Sequence, residues 1–234
     1  MCIQGGNMKY SIEGGNLPVV KIMMERGETL KTQSGAMAWM DEGIEMATKG
    51  GGFGKALGRL FSGETLFLNE YTAMRDGEFA ISTSLPGSII GMQVTPSNPL
   101  IIQKGAFLAC TAGVDLSVHL QKKISNVFFG GEGLVMQKLE GNGFVFLEID
   151  GSAHEYILQP GERKIVDTGY LAMMESSCSM EIVQVKGVKN VLFGGEGLFN
   201  TVITGPGKII LQSMPIASFA MRLYTYMPHP SSNN

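Results

Sequence analysis

Apolar and polar residues alternate with a period of two along much of this chain. The alternation is clearest in three stretches, which begin at Ile44, Val114 and Cys178. A period of two places alternate side chains on one face of a β-strand. Strands are also predicted at 144–149 and 208–212, between Gly, Pro and Asn turn signals. The pattern therefore predicts an all-β fold.

One segment, residues 49–61, departs from the strand pattern. Its apolar residues recur at helical spacing: Phe53, Leu57, Leu60 and Phe61. This spacing predicts a short amphipathic helix with Lys55 and Arg59 on its polar side. Two interpretations stay open: the helix closes one end of the β body, or it contacts a membrane surface or a partner groove.

Four short motifs recur three times in the same order. The first motif reads "LFSGETL", "FFGGEGL" and "LFGGEGL", and a second reads "GAMAWM", "GAFLAC" and "GYLAMM". A third reads "GEFAIS", "GFVFLE" and "GKIILQ", and a fourth, "GETLKTQSG", "SNPLIIQKG" and "GERKIVDTG", precedes the second. The central glycines of the first motif are Gly63, Gly131 and Gly195.

This recurrence predicts three tandem repeats of about 65 residues each. Their approximate bounds are 19–88, 89–153 and 154–226, with a polar tail at 227–234. A repeat this short buries its apolar face poorly by itself. The three are therefore expected to pack as one β-sandwich body around a pseudo-threefold axis, so that residues 1–234 form a single domain.

Composition and charge exclude several classes of protein. Glycine supplies 32 of the 234 residues, which fits many tight turns. The net charge of −3 offers no basic field for a nucleic acid backbone, so no nucleic acid partner is predicted. The first residues lack the apolar region of a secretory signal, and a cytoplasmic location is expected.

The glycine-rich motifs do not predict a cofactor. A phosphate loop needs successive amides aimed at the anion and usually a lysine to balance its charge. The "GGEGL" motifs place a glutamate at their centre and lead into strand-like residues. They are interpreted as turns at a repeating joint of the architecture, and no cofactor-binding residue is assigned.

Metal ligands are sparse. His119, His154 and His229 are isolated and share no repeat position, so no metal-binding residue is assigned. The repeat-equivalent residues Glu64, Glu132 and Glu196 leave two interpretations. They converge around a cation, or each serves its own turn or pairs with a basic residue.

Catalytic patterns are absent from the sequence. Cys110 and Cys178 occupy slots that hold apolar residues in the other repeats, which indicates small core side chains, and Cys2 forms no CxxC with them. No motif singles out a Ser, His and Asp triad. The sequence therefore predicts no catalytic residue and no enzyme. The 16 methionines are interpreted mainly as core filling, with an adaptable binding surface as the alternative.

The motifs "GGFGKALGRLFSGETLF", "GGEGLVMQKLEGNGFVFLEIDG" and "GERKIVDTGYLAMM" together resemble the altered inheritance of mitochondria protein twenty-four family. The resemblance implies a fold akin to that of the trp RNA-binding attenuation protein, three repeats in one chain, and frequent oligomers. For mitochondrial relatives it implies a role in inner-membrane organisation. It assigns no catalytic residue to this chain.

The sequence favours a non-catalytic structural or assembly protein that forms a homo-oligomer. Repeated strands leave backbone edges, and pairing with a second copy is one way to cover them. A protein partner or a membrane surface is a further possible contact. The alternative is a module that binds a small ligand, a lipid or a membrane surface.

Overall fold

A computed structural model of the chain describes residues 3–5, 8–48, 68–122, 134–184 and 199–227. Strands dominate this part of the chain, which confirms the all-β prediction. The strands in chain order are β1 (Ile3–Gly5), β2 (Met8–Glu13), β3 (Val19–Met24), β4 (Thr29–Gln33), β5 (Met37–Met40), β6 (Ile44–Thr48), β7 (Leu68–Ala73), β8 (Gly77–Ser82), β9 (Gly87–Val94), β10 (Leu100–Gln103), β11 (Phe107–Thr111), β12 (Val114–Lys122), β13 (Leu134–Gly141), β14 (Gly143–Asp150), β15 (Ala153–Leu158), β16 (Arg163–Asp167), β17 (Leu171–Glu175), β18 (Ser179–Gln184), β19 (Phe199–Thr204) and β20 (Gly207–Gln212).

These strands form four antiparallel sheets. The first sheet has the order β1-β2-β3-β8-β5, and the second has the order β6-β7-β4-β11-β14-β9. The third sheet has the order β12-β13-β10-β17-β20-β15, and the fourth contains β16-β19-β18. Strands from different parts of the chain therefore meet within the second and third sheets.

The same pairing scheme appears in three successive groups of six strands. In the group β3 to β8, the first and third strands pair with the sixth, and the second and fourth pair with the fifth. The groups β9 to β14 and β15 to β20 pair in the same way. Between groups, β4 pairs with β11 and β10 pairs with β17.

Three clusters of buried side chains lie between successive sheets. The first unites the first and second sheets, the second unites the second and third, and the last unites the third and fourth. Strand β14 illustrates the consequence, because Phe144 and Phe146 enter the first cluster while Val145 and Leu147 enter the second. Both faces of this strand are buried, which explains its continuous apolar sequence.

A helix near the C-terminal end adds to the sequence analysis, which predicted no helix after the strand at 208–212. Helix α1 (Ile216–Tyr224) follows Pro215, whose fixed φ suits a helix start, and contains the helix formers Ala, Met, Leu and Arg. It is anchored at its first residue, where the Asp150 Oδ2 accepts the Ile216 amide at 2.9 Å. None of its residues is buried.

Several sequence predictions lie outside the described residues. These are the helix at 49–61, the turns at Gly63, Gly131 and Gly195, the three glutamates at 64, 132 and 196, and residues 228–234 of the polar tail.

Candidate functional site

Polar side chains at the ends of three equivalent strands bind backbone amides. Asp41, Thr111 and Glu175 follow or end β5, β11 and β17. Their side-chain oxygens accept the amides of residues 78, 144 and 208 at 2.8, 3.0 and 2.8 Å. Each contact fastens one strand to its neighbour, so these groups serve the architecture.

A glycine makes room for each of these contacts, which explains why the third motif always begins with one. A Cβ on Gly143 would lie 2.2 Å from the Thr111 Oγ1. A Cβ on Gly207 would lie 2.6 Å from the Ser177 Oγ and 3.3 Å from the Glu175 Oε2, and Gly207 also has a φ of +144°, which disfavours other residues. The repeated glycines therefore reflect close packing at these strand ends.

Acidic residues in two equivalent turns serve the same purpose. The Glu28 Oε2 accepts the amide of Glu25 at 2.8 Å, and the Glu162 Oε2 accepts the amide of Gln159 at 2.8 Å. Both glutamates are at the second position of the fourth motif. Their carboxylates are occupied by the turns that carry them.

Glu148 and Asp150 have raised pKa values because burial disfavours their charged forms. The Glu148 Oε1 accepts the amides of Ser84 and Leu85 at 2.7 and 3.3 Å. Together with the Asp150 contact to helix α1, these bonds hold chain connections against β14. Raised pKa values mark candidate proton donors, but both carboxyl groups have a structural use here.

The two described cysteines lie in the core. Burial raises the pKa of Cys110 to about 12, and burial also raises the pKa of Cys178. Their Sγ atoms face the carbonyl oxygens of Val114 and Pro206. Because the thiolate is the reactive form, both side chains are neutral and unsuited to nucleophilic attack at neutral pH.

Metal-binding side chains do not cluster within the described ranges, where no group of three His, Cys, Asp or Glu residues is placed to hold an ion. His119 and His154 are both exposed on strands. Glu64, Glu132 and Glu196, together with His229, are outside the described residues.

The methionines divide between core and surface, which corrects their interpretation as core filling. Met173 and Met174 on β17 are buried, whereas Met40 and Met46 in the first group of strands are exposed. The equivalent strands therefore differ in environment, because β17 has a strand neighbour on each side and β5 has one neighbour in the described structure.

An open groove of about 380 Å³ lies between residues of the first sheet and the residues of β4 and β11 in the second sheet. Met8, Met24 and Leu30 supply its apolar wall, and Thr111 and Asn142 line its other side. Glu28 is the one charged residue of the lining, and its carboxylate already binds the turn. The groove has the size of a small-ligand site without a pair of acid and base groups.

The exposed apolar side chains of β5 and β16 form a feature that the sequence analysis missed. Trp39 and Met40 are exposed on β5, and Ile165 is exposed on β16. Both strands are at the edge of their sheets in the described structure. The sequence carries no signal for this exposure, because Met40 and the buried Met174 are the same residue at the same motif position.

None of the helices in the described part of the chain has the length and apolar character needed to cross a membrane. Helix α1 has nine residues.

These features define an all-β protein in which several carboxylates bind backbone amides of strands, turns and the helix, and whose sheet edges expose large apolar side chains. Among these carboxylates are Glu28, Asp41, Glu148, Asp150, Glu162 and Glu175. The chain belongs to the family described as mitochondrial biogenesis AIM24, whose sequence model matches residues 10–214. This result confirms the resemblance noted from the motifs.

Two relatives extend the comparison. The chain is 28% identical over 235 residues to an uncharacterized protein of Streptococcus pyogenes serotype M6, with 96% of this chain and 93% of that protein covered. It is also similar to a Streptococcus pyogenes protein of known crystal structure, with a TM-score of 0.78 and 26% identity over 94% of this chain and 100% of the other.

Proposed function

We propose that this chain is a non-catalytic structural or assembly protein that associates with copies of itself. The observation that carries the proposal is the contrast between polar and apolar groups. The described carboxylates named above bind backbone amides, while Trp39, Met40 and Ile165 are exposed along strand edges. Exposed apolar strand edges suit association with another chain.

The architecture behind this proposal is three tandem units of six strands each. The recurring pairing scheme and the two equivalent contacts between groups support this division. A pseudo-threefold arrangement and a fold similar to that of the trp RNA-binding attenuation protein stay predictions. The cytoplasmic location, the lack of a nucleic acid partner and the single domain also remain part of this proposal.

Self-association is tested by light scattering coupled to size exclusion. We expect the full chain to elute with a mass at least twice that of one chain, 25.2 kDa, at micromolar concentration. Dilution should shift the mass toward a single chain, because association follows mass action. A mass of one chain at every concentration, with a small molecule that co-purifies, would contradict the proposal and favour the ligand-binding alternative.

Helix α1 favours a second candidate function, which is contact with a lipid surface. Ile216 and Leu223 lie at helical spacing on one stripe and are exposed, and Met227 extends this stripe just beyond the helix. Arg222, the one charged residue of the helix, lies over the ring of Tyr226 at 5.8 Å. An exposed apolar stripe with a basic residue suits a membrane surface that carries anionic lipid.

Vesicle flotation tests this second candidate. If it holds, the full chain floats with vesicles of phosphatidylcholine and phosphatidylserine, and the double variant Ile216→Glu, Leu223→Glu stays at the bottom. Met46→Glu is the matched control, because Met46 is exposed on β6 and far from the helix in sequence. Flotation that is lost when residues 49–61 are removed and kept in the double variant would assign the lipid contact to that segment. Failure of the full chain to float would remove this candidate.

A further inference from the structure

The two contacts between strand groups, β4 with β11 and β10 with β17, have the same register. The residues of β4 and β10 occupy the same positions of the fourth motif when these are counted back from Gly35 and Gly105. The residues of β11 and β17 occupy the same positions of the second motif. In both contacts, residues at corresponding positions are opposed. The pairs are Leu30 with Thr111, Lys31 with Cys110 and Thr32 with Ala109 in the first, and Leu100 with Glu175, Ile101 with Met174 and Ile102 with Met173 in the second.

These contacts are buried. Ile101 and Met174 are each 2% exposed, and Ile102 and Met173 are fully buried. In the other contact, Cys110 is fully buried, and the Lys31 ammonium donates to the Val114 carbonyl at 2.9 Å and lies 3.4 Å from the Asp115 carboxylate. The joined strands thus make each of the two central sheets continuous across two groups.

Strand β16 has the same motif positions as β4 and β10, and strand β5 has the same motif positions as β11 and β17. Strand β16 pairs with β19 and β5 pairs with β8, and on their other sides they pair with no strand of the described residues. Ile165 corresponds to Ile101 and is 65% exposed, whereas Met40 corresponds to Met174 and is 36% exposed. Trp39, which corresponds to Met173, is 45% exposed. Side chains that are buried at the two contacts are therefore uncovered at these two edges.

We infer that β16 of one copy pairs with β5 of a second copy in the register of the two internal contacts. This inference rests on the proposed self-association and specifies its surface. It is the alternative to a closed pseudo-threefold arrangement, in which β16 would meet β5 of the same chain. The opposed pairs between copies are Ile165 with Met40, Val166 with Trp39 and Lys164 with Asp41.

Charge and sheet size support a second copy of the chain as the partner of these two edges. The register places Lys164 opposite Asp41, and opposite charges at facing positions stabilise an antiparallel pair. The Lys164 Nζ lies over the Tyr156 ring at 4.1 Å and the Asp41 Oδ2 accepts the Glu78 amide, so the attraction is between the ammonium and a carboxylate that keeps its amide contact. The three-stranded sheet β16-β19-β18 is half the size of the two central sheets, and the strands β3, β8 and β5 are the matching half. Pairing between copies completes the same six-strand arrangement, with β1 and β2 added beyond β3.

The interface is head-to-tail, because it joins two different edges. After the first contact, the copy that contributed β16 keeps a free β5 edge, and the copy that contributed β5 keeps a free β16 edge. Such an interface forms a ring if the rotation closes and a filament if it does not. Assemblies larger than two copies are therefore expected from this single contact.

Cross-linking between tagged full-length chains tests the register. One chain carries Ile165→Cys, a chain with a different tag carries Met40→Cys, and both carry Cys2→Ser. Directly opposed residues have Cβ atoms about 4.5–5.5 Å apart, so a short bis-maleimide should join the two chains. Ile157→Cys mixed with Met40→Cys is the control, because Ile157 is 70% exposed on β15. We expect a cross-linked product of the two differently tagged chains with Ile165→Cys, and no such product with Ile157→Cys.

A second measurement follows the mass of Ile165→Asp by light scattering, with Ile157→Asp as control. We expect the first to be a folded single chain by circular dichroism and the second to keep the wild-type mass. An oligomer that persists in Ile165→Asp and gives no mixed cross-link would overturn this interface while self-association stands. A wild type that is a single chain would overturn both. A cross-link within one chain that carries both cysteines, without a product between chains, would show closure of the sheet inside the chain and overturn pairing between copies.

Discussion

Deleting residues 161–234 is expected to abolish cooperative unfolding of the remaining chain. The deletion removes β16 to β20, so β10 loses its neighbour β17 and β15 loses its neighbour β20. Ile101, Leu134 and Met136 then face solvent, because the last cluster loses the side chains that cover them. The second cluster also loses Met173 and Ile210.

The size of this effect follows from the number of core contacts that are lost. Each large core side chain contributes about 2–5 kcal/mol, whereas a whole domain is stable by about 5–15 kcal/mol. Circular dichroism during heating should therefore show a gradual change in place of a sharp transition. A chain that lacks only residues 228–234 is the control and should melt as the full chain does. A truncated chain that melts as sharply as the full chain would show that the last five strands are not needed for the core.

The period-two pattern predicted strands well, because a strand's period depends on residues close in sequence. It predicted the buried faces only in part, since Met46 and Val118 lie on predicted apolar faces and are exposed. The predicted strand at 144–149 lies within β14, and the one at 208–212 lies within β20. Ile44, Val114 and Cys178, which begin the three alternating stretches, are all buried.

The neighbours of each strand were not predictable in the same way. Alternation assigns a face to Met40 and Met174, but it does not say whether a strand lies beside them. Met174 is buried because β10 lies next to β17, a contact between residues far apart in the chain. Met40 has the same motif position on an open edge. The exposed edges became recognisable only when strand pairing was known.

Helix α1 was missed for a local reason. The sequence "IASFAMRLY" is short and has no Ser, Thr, Asp or Asn immediately before it, so it lacks the usual start signal. Its first amide is bound by Asp150, which is far away in sequence. A cap supplied by tertiary structure leaves no mark in the local pattern.

Replacing Phe146 by Ala is expected to lower the free energy of unfolding by about 3–5 kcal/mol, the usual cost of truncating a buried aromatic residue. Phe146 is fully buried in the first cluster. Its ring lies 5.0 Å from that of Tyr10, edge-on, and 5.3 Å from that of Phe144. Truncation therefore leaves a cavity and removes one aromatic contact between the first and second sheets, with Tyr10, and one within β14, with Phe144.

Urea denaturation at one fixed protein concentration measures this loss, with Ile157→Ala as the control. Ile157 is largely exposed, so its truncation should change stability by no more than about 0.5 kcal/mol. A double-mutant cycle with Tyr10→Ala isolates the edge-on contact, for which we expect a coupling of about 0.5–1.5 kcal/mol. Such a coupling would mean that the N-terminal strand β2, which carries Tyr10, contributes directly to the core shared by the two sheets. A loss below about 1 kcal/mol in Phe146→Ala would contradict this packing, because no fully buried aromatic side chain of this size is expected to be removed at so small a cost.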